Sequence, residues 1–434
     1  MSTSRVPSKP LAARQAKPSR VKGAGTGAAG PVPVSKPLRL GANLYIVQTQ
    51  PGLEGVAWSE IASRYGFGEA ATNGGSLPKS VAEVRARPRA GGKAGEFPRP
   101  KRARELTRRL VPDRAAMTIF TAPRAEPLKS LRTAEDVFAV VGYRDGLAER
   151  ADALDRVRAA SRDARWLEDA LVTHARFVPG SRAGRRLRYR VVARMVGEQA
   201  FRRVDMGREV ARGIGEREDH NWRLAEEEAD VEFWATLFEG EFILALRLSG
   251  NEMRQRDYKV AHLPGSLRPS VAAALAWLSE PSDEDTVLDP FCGAGTILIE
   301  RAHLGRYRKL IGSDRDPAAL RAASENIGPR YKPLELYPWD ATAIPLEAAS
   351  VDKIVTNLPW GMRHGSHSEN RQLYSQVINE FKRLVRPGGM IVMLTAETRL
   401  MGDLMTRGVF RAERVLRISV LGTPAAIYIC RRQE

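Results

Sequence analysis

The run Phe291-Cys292-Gly293-Ala294-Gly295-Thr296 follows an apolar stretch, Thr286 to Pro290, that reads as a strand, and precedes Ile297 to Ala302, which reads as a helix. A glycine loop at a strand end lets a ligand approach the backbone, and the helix start behind it offers free amide donors to a carboxylate or phosphate. Leu298 stands where a dinucleotide fingerprint needs glycine, and no Gly-Lys-Ser/Thr follows for a phosphate-binding loop. Asp314 ends the next strand-like stretch, Lys309 to Ser313, about 20 residues beyond the glycines, a place from which an acid binds ribose hydroxyls. Asp340 follows Leu334 to Tyr337 and could accept a hydrogen bond from an adenine amino group. Either acid alone reads equally well as a helix cap. Together with the loop they mark the carboxyl edge of one parallel sheet, where open α/β sheets bind ligands. The candidate cofactor contacts on that edge are Asp289, Cys292, Gly293, Gly295, Thr296, Asp314 and Asp340.

A further signal, Asn357-Leu358-Pro359-Trp360, closes a fourth strand-like stretch, Asp352 to Thr356. In isolation the four residues could be a turn, since Asn and Pro both favour turns. Their place on the fourth strand, after three signals on one sheet edge, favours a site.

Elements to position these residues are legible along the chain. From about Ser266, strand and helix patterns alternate as in a doubly wound sheet. Before it, Asn43 to Thr49, Met117 to Thr121 and Val137 to Val141 read as strands, Gly52 to Tyr65 as a helix, and residues 150–172 as one helix with Leu154, Val157, Ala160 and Ala164 at helical spacing. Leu187 to Val196 alternates apolar residues with Arg188, Arg190 and Arg194, which gives one strand face a basic character while the other enters a core. A helix, Val204 to Ile214, and strands Asp230 to Thr236 and Phe242 to Leu248 complete an α+β unit.

The 434 residues exceed the usual size of one domain and carry a net charge of +18. Residues 1–40 hold eight Lys/Arg and no acid, and residues 72–112 hold eleven against three acids, so most of the charge lies in two stretches. The first, through residue 38, has too few large apolar groups to offset ordering entropy and is expected to be a disordered basic tail. The second, from Asn73 to about Arg109, reads as a flexible insertion. Residues 176–212 contain eleven arginines and three acids, a candidate basic face for a polyanion. Its alternative is a solvated charged surface. Two cysteines cannot build a disulfide framework or a four-ligand zinc site, and Cys292, His364 and His367 show no metal spacing, so no metal is expected. No run of about 18 uncharged apolar residues offers a transmembrane helix and the N-terminus shows no apolar leader core, while the two cysteines point to a reducing cytoplasm as the expected compartment.

The Asn-Leu-Pro-Trp motif resembles that of class I methyltransferases acting on amino groups of bases, with Leu358 where proline is commoner. Such an amine is a poor nucleophile until hydrogen bonds orient its lone pair. The resemblance assigns that task to Asn357 and the Leu358 carbonyl, with Pro359 among the base contacts and Trp360 stacking on an extruded base. Adding Arg256-Asp257-Tyr258 and Ser266-Leu267-Arg268-Pro269-Ser270, the chain resembles the THUMP-domain RNA guanine-N2 methyltransferases over roughly residues 42–434. This implies a Rossmann-like methyltransferase domain at 256–434, a ferredoxin-like unit at 39–145 and a THUMP unit at 146–255 that grip tRNA, with Arg188, Arg190 and Arg194 tracking phosphates. It also implies S-adenosylmethionine as methyl donor, with Leu267, Arg268 and Pro269 as further cofactor contacts, and an interdomain strand at Arg256 to Tyr258. The expected product is N2-methylguanosine in the tRNA acceptor stem. Methylation of guanine-N2 or adenine-N6 in rRNA, methylation of adenine in DNA, and an inactive RNA-binding module are the competing readings.

Overall fold

A computed structural model describes residues 43–66, 108–110, 116–147, 152–178, 180–181, 186–197, 199–218, 220–238, 240–360, 367–406 and 412–433. The expected basic tail, nearly all of the expected insertion, and His364 lie outside the described residues, as does the side chain of His367.

The first half builds one sheet of eight described strands: β1 (Leu44–Thr49), β2 (Arg108–Leu110), β3 (Ala116–Thr121), β4 (Asp136–Arg144), β5 (Arg188–Val196), β6 (Arg223–Leu224), β7 (Val231–Phe238) and β8 (Glu241–Arg247). They lie in the order β2-β3-β1-β4-β8-β7-β5-β6. Antiparallel pairing of β4 with β8 joins residues 39–145 and 146–255 in this single sheet. β5 runs parallel to β7, and α4 (Arg203–Gly215) lies in the crossover between them. On β5 the alternation holds, with Tyr189, Val191, Ala193 and Met195 on the core face.

Two helices, α2 (Ala153–Arg162) and α3 (Leu167–Phe177), replace the single helix expected over 150–172. The chain breaks at Asp163 to Trp166, where Ala164 is buried in a turn and accepts the Leu167 N–H. A straight helix would carry one apolar stripe past the core. The break lets Val157 and Ala160 of α2, then Ala170, Leu171 and Phe177 of α3, each face it.

The second half is a seven-stranded sheet in the order β11-β10-β9-β12-β13-β15-β14. Its strands are β9 (Thr286–Asp289), β10 (Lys309–Ser313), β11 (Leu334–Tyr337), β12 (Val351–Asn357), β13 (Val385–Thr395), β14 (Ala412–Val420) and β15 (Thr423–Arg431). Strands β9 to β13 are parallel, and β15 pairs antiparallel with β13. Helices α5 (Pro269–Leu278), α6 (Thr296–Ala302), α7 (Pro317–Ile327), α8 (His367–Leu384) and α9 (Thr398–Thr406) accompany them. The order reverses between β9 and β12, the crevice where open α/β sheets take ligands.

One helix, α1 (Glu54–Arg64), serves both halves. Its Trp58 and Ile61 enter the core of the first sheet, whereas Leu53 and Val56 pack with Val271 and Leu275 of α5 in the core of the second. The Trp277 indole N–H donates to Ser59 Oγ at 2.7 Å across the same contact. Arg256 to Tyr258, expected as a strand, form a turn. The polar anchors explain the difference: Tyr258 is buried and its hydroxyl donates to Glu300 Oε1 at 2.7 Å, while Arg256 donates to the Arg132 carbonyl at 3.0 Å. Arg132 in turn binds Glu300 with two guanidinium nitrogens. Among the described residues no helix is long and apolar enough to cross a membrane.

Candidate active site

β9 delivers the chain into the glycine loop, and Gly295 caps α6 in the left-handed region at φ 77°. An L side chain there would be strained, and its Cβ would stand 3.2 Å from Ile327 Cδ1. Gly293, also left-handed at φ 52°, differs: a Cβ would meet no protein atom within 4 Å, so open space lies over this backbone. Gly312 on β10 is a glycine for a third reason, because a Cβ would lie 2.6 Å from Leu298 of α6 and 3.2 Å from Cys292 Sγ. Sheet and helix touch there at backbone distance.

The strand-end acids are organised differently from one another. Asp314 holds the loop, accepting the Gly293 N–H on Oδ2 and the Asp316 N–H on Oδ1, both at 3.0 Å. Asp340 accepts the Thr342 N–H at 2.8 Å and its hydroxyl at 2.7 Å, bonds that hold its carboxyl below the usual range with help from the nearby Arg315 charge. Asp289 is 1% exposed. Its Oδ1 accepts the Phe291 N–H at 3.2 Å and the Thr356 hydroxyl at 2.7 Å, but Oδ2 has no partner among the described residues. Burial pushes this carboxyl up to about 7, and the Asp314 charge adds to the rise.

The Thr356 bond ties the fourth strand to the loop. Pairing of Ile354 with Leu288 sets β12 beside β9, and Asn357 ends β12 one residue beyond Thr356. The Leu358 N–H donates to the Leu394 carbonyl at 3.0 Å, Trp360 Nε1 donates to Asn357 Oδ1 at 3.0 Å, and the Pro359 carbonyl accepts the Tyr374 hydroxyl at 2.6 Å. Trp360 is half-buried against the core of this sheet. The predicted cofactor edge and base motif therefore meet at one sheet edge.

Other sequence-derived candidates have different company. Arg268 binds Glu135 at 3.0 Å, the Leu267 carbonyl accepts Lys259 Nζ at 2.8 Å, and Pro269 is the buried first residue of α5. Thr296 and Cys292 are buried at the loop, and burial pushes the Cys292 thiol well up, which removes it as a thiolate nucleophile at neutral pH. Arg188 pairs with Glu228 and Asp230, and Arg190 with its cross-strand neighbour Glu232. Arg194 lies 4.4 Å over the Trp234 ring, and desolvation lowers its pKa. The expected basic face thus carries its own carboxylates. Sequence reading missed Thr356, Tyr374 and Thr395, which hold the motif from below. It also missed the parallel stack of Tyr337 on Trp339, 4.0 Å apart, beside Asp340.

A reversed parallel sheet with a glycine loop and acid-tipped strands defines the class I, Rossmann-like methyltransferase fold. Residues 256–424 match the family described as RMKL-like, methyltransferase domain. Sequence relatives of the chain are named as guanine-N2 methyltransferases. Over 263 residues it is 30% identical to the mouse protein named tRNA (guanine(6)-N(2))-methyltransferase THUMP3, covering 56% of this chain and 51% of that one. Over 226 residues it is 31% identical to the tRNA (guanine(6)-N2)-methyltransferase of Thermus thermophilus, covering 51% of this chain and 65% of that one. The chain spans about half the length of the first curated relatives it matches. In fold it is similar to the crystal structure of TrmN from Thermus thermophilus, with a TM-score of 0.66 at 22% identity, covering 90% of this chain and 99% of that one.

Proposed function

We propose that the chain transfers a methyl group from S-adenosylmethionine to the exocyclic N2 amine of a guanine in tRNA, with residues 39–145 and 146–255 as the RNA-gripping units, and that it works in the cytoplasm. The observation that carries this reading is the hydrogen bond from Thr356 to Asp289, which couples the strand bearing Asn357 to the glycine loop.

The residues present fit the proposed cofactor. Asp289 Oδ2 is a buried carboxylate oxygen in want of a donor, Gly293 leaves space over its backbone, and Asp340 stands at a strand end with Asp314 behind the loop. When bound, S-adenosylmethionine supplies an electrophilic methyl on a sulfonium leaving group. The protein's task is then alignment. Asn357 Oδ1 and the Leu358 carbonyl accept the amine protons and turn the nitrogen lone pair outward, and Trp360 offers a stacking face for an extruded base. The names of the relatives support guanine and tRNA, since the motif itself serves adenine and guanine amines alike.

Nucleoside mass spectrometry after incubation of the purified chain with S-adenosylmethionine and unmodified tRNA or rRNA transcripts tests this. N2-methylguanosine in the tRNA arm is the expected product. Product confined to rRNA, or N6-methyladenosine, would replace the substrate, and no product with either RNA would overturn the activity.

A further inference from the structure

We infer that Tyr374 is a positioning residue for methyl transfer, holding the Leu358 carbonyl in the direction from which it accepts a substrate amine proton; this rests on the activity proposed above. The motif's backbone is pinned on either side of this carbonyl. The Leu358 N–H is committed to the Leu394 carbonyl, Pro359 has no N–H and a fixed φ, and the Pro359 carbonyl accepts the Tyr374 hydroxyl. Among the described residues no donor engages the Leu358 carbonyl, so it keeps acceptor capacity for a substrate.

The donor itself is directed. Glu397 N–H donates to Thr395 Oγ1 at 2.9 Å, and Thr395 Oγ1 lies 2.7 Å from the Tyr374 hydroxyl. With the Tyr374 proton committed to Pro359, the Thr395 hydroxyl donates to the Tyr374 oxygen, and each link polarises the next. Tyr374 is fully buried, and burial raises its phenol far above neutrality, which keeps the proton in place at working pH. The relay runs from the end of β13 through α8 to the motif, so the carbonyl direction is set by two elements that do not touch the base.

Tyr374→Phe removes the hydroxyl and keeps the ring that fills the core. With an unmodified tRNA transcript under single-turnover conditions, the rate is expected to fall about 10-fold, the scale of one neutral hydrogen bond at about 1.4 kcal/mol. S-adenosylmethionine affinity by calorimetry, the KM for tRNA and the melting temperature are expected to stay near those of the parent. Thr395→Val, which cuts the relay one bond earlier, is expected to give a smaller fall. A Tyr374→Phe variant as fast as the parent, or one whose rate falls only in step with its melting temperature, would overturn the assignment. Should Tyr374→Phe not fold, the Thr395→Val rate decides it by the same two criteria. If the parent chain methylates neither RNA, the failure lies with the proposed activity, since the Tyr374 comparison is read only against an active parent.

Discussion

The indole N–H of Trp360 donates to Oδ1 of Asn357 at 3.0 Å, so the ring proposed to stack on a base and the amide proposed to accept from it are held by one another. An amide oxygen has two lone pairs, and the second remains for a substrate amine. The bond fixes the plane of the ring as well as the direction of the oxygen. Trp360→Phe keeps an aromatic face and loses the donor, and a single-turnover rate about 10-fold below the parent is expected from the loss of one hydrogen bond, with little change in tRNA affinity. Trp360→Ala also removes the stacking surface, worth about 1–3 kcal/mol per base, and should raise the KM for tRNA in addition. Equal KM values for the Phe and Ala variants would separate Trp360 from base capture.

Asp289 gives the account a pH signature. Burial raises its carboxyl from 3.8 to about 7. The folded chain therefore holds this proton more tightly than the unfolded chain, so the group's contribution to stability is full below about pH 4 and is lost as pH rises to about 7. Asp289→Asn removes the titration and should melt higher than the parent at pH 8, with a smaller gain at pH 5.5, by differential scanning fluorimetry. Cationic groups of a bound S-adenosylmethionine favour the ionised form, so parent affinity should climb across the same interval and the Asn variant's should not. A constant gap in melting temperature at both pH values would contradict the assigned burial.

The Asn-Leu-Pro-Trp motif and the glycine loop were legible in sequence because each is local: Gly293, Gly295, Asp314, Asp340 and Asn357 to Trp360 each lie within a few residues of a strand end. What supports them is not local. Thr356 meets Asp289 across 67 residues, Arg132 meets Glu300 across 168, and Tyr374 reaches Pro359 only because α8 returns under the sheet. The arginine face illustrates the same limit. Its alternation was readable on β5, but the carboxylate opposite Arg190 belongs to β7 and becomes its neighbour through strand register alone. The turn at Arg256 to Tyr258 likewise depends on Glu300, which no local pattern places.

Those paired arginines alter what charge removal should do. Arg188 and Arg190 already have carboxylate partners, and exposed pairs of this kind cancel most of their field. Alanine at Arg188, Arg190 and Arg194 should therefore flatten the salt dependence of tRNA binding by well under about 0.7 to 0.9 of a log unit per arginine, the slope of a fully released phosphate contact. The converse variant, Glu228→Gln with Asp230→Asn and Glu232→Gln, frees two guanidiniums and should tighten binding at low salt. Filter-binding titrations across a salt series check both. Unchanged affinity in both variants would place the RNA path elsewhere.

The most direct test of the account is single-turnover methyl transfer by Asn357→Ala, with labelled S-adenosylmethionine and an unmodified tRNA transcript, alongside mass spectrometry of the parent's product. The substitution removes the side-chain acceptor, leaves the Thr356 to Asp289 tie untouched and keeps the Trp360 ring, so cofactor affinity is expected to persist. The rate should fall about 100-fold or more, the scale of one positioned catalytic hydrogen bond, while the parent yields N2-methylguanosine. Near-parent turnover by a folded, cofactor-binding Asn357→Ala variant would contradict the assigned chemistry.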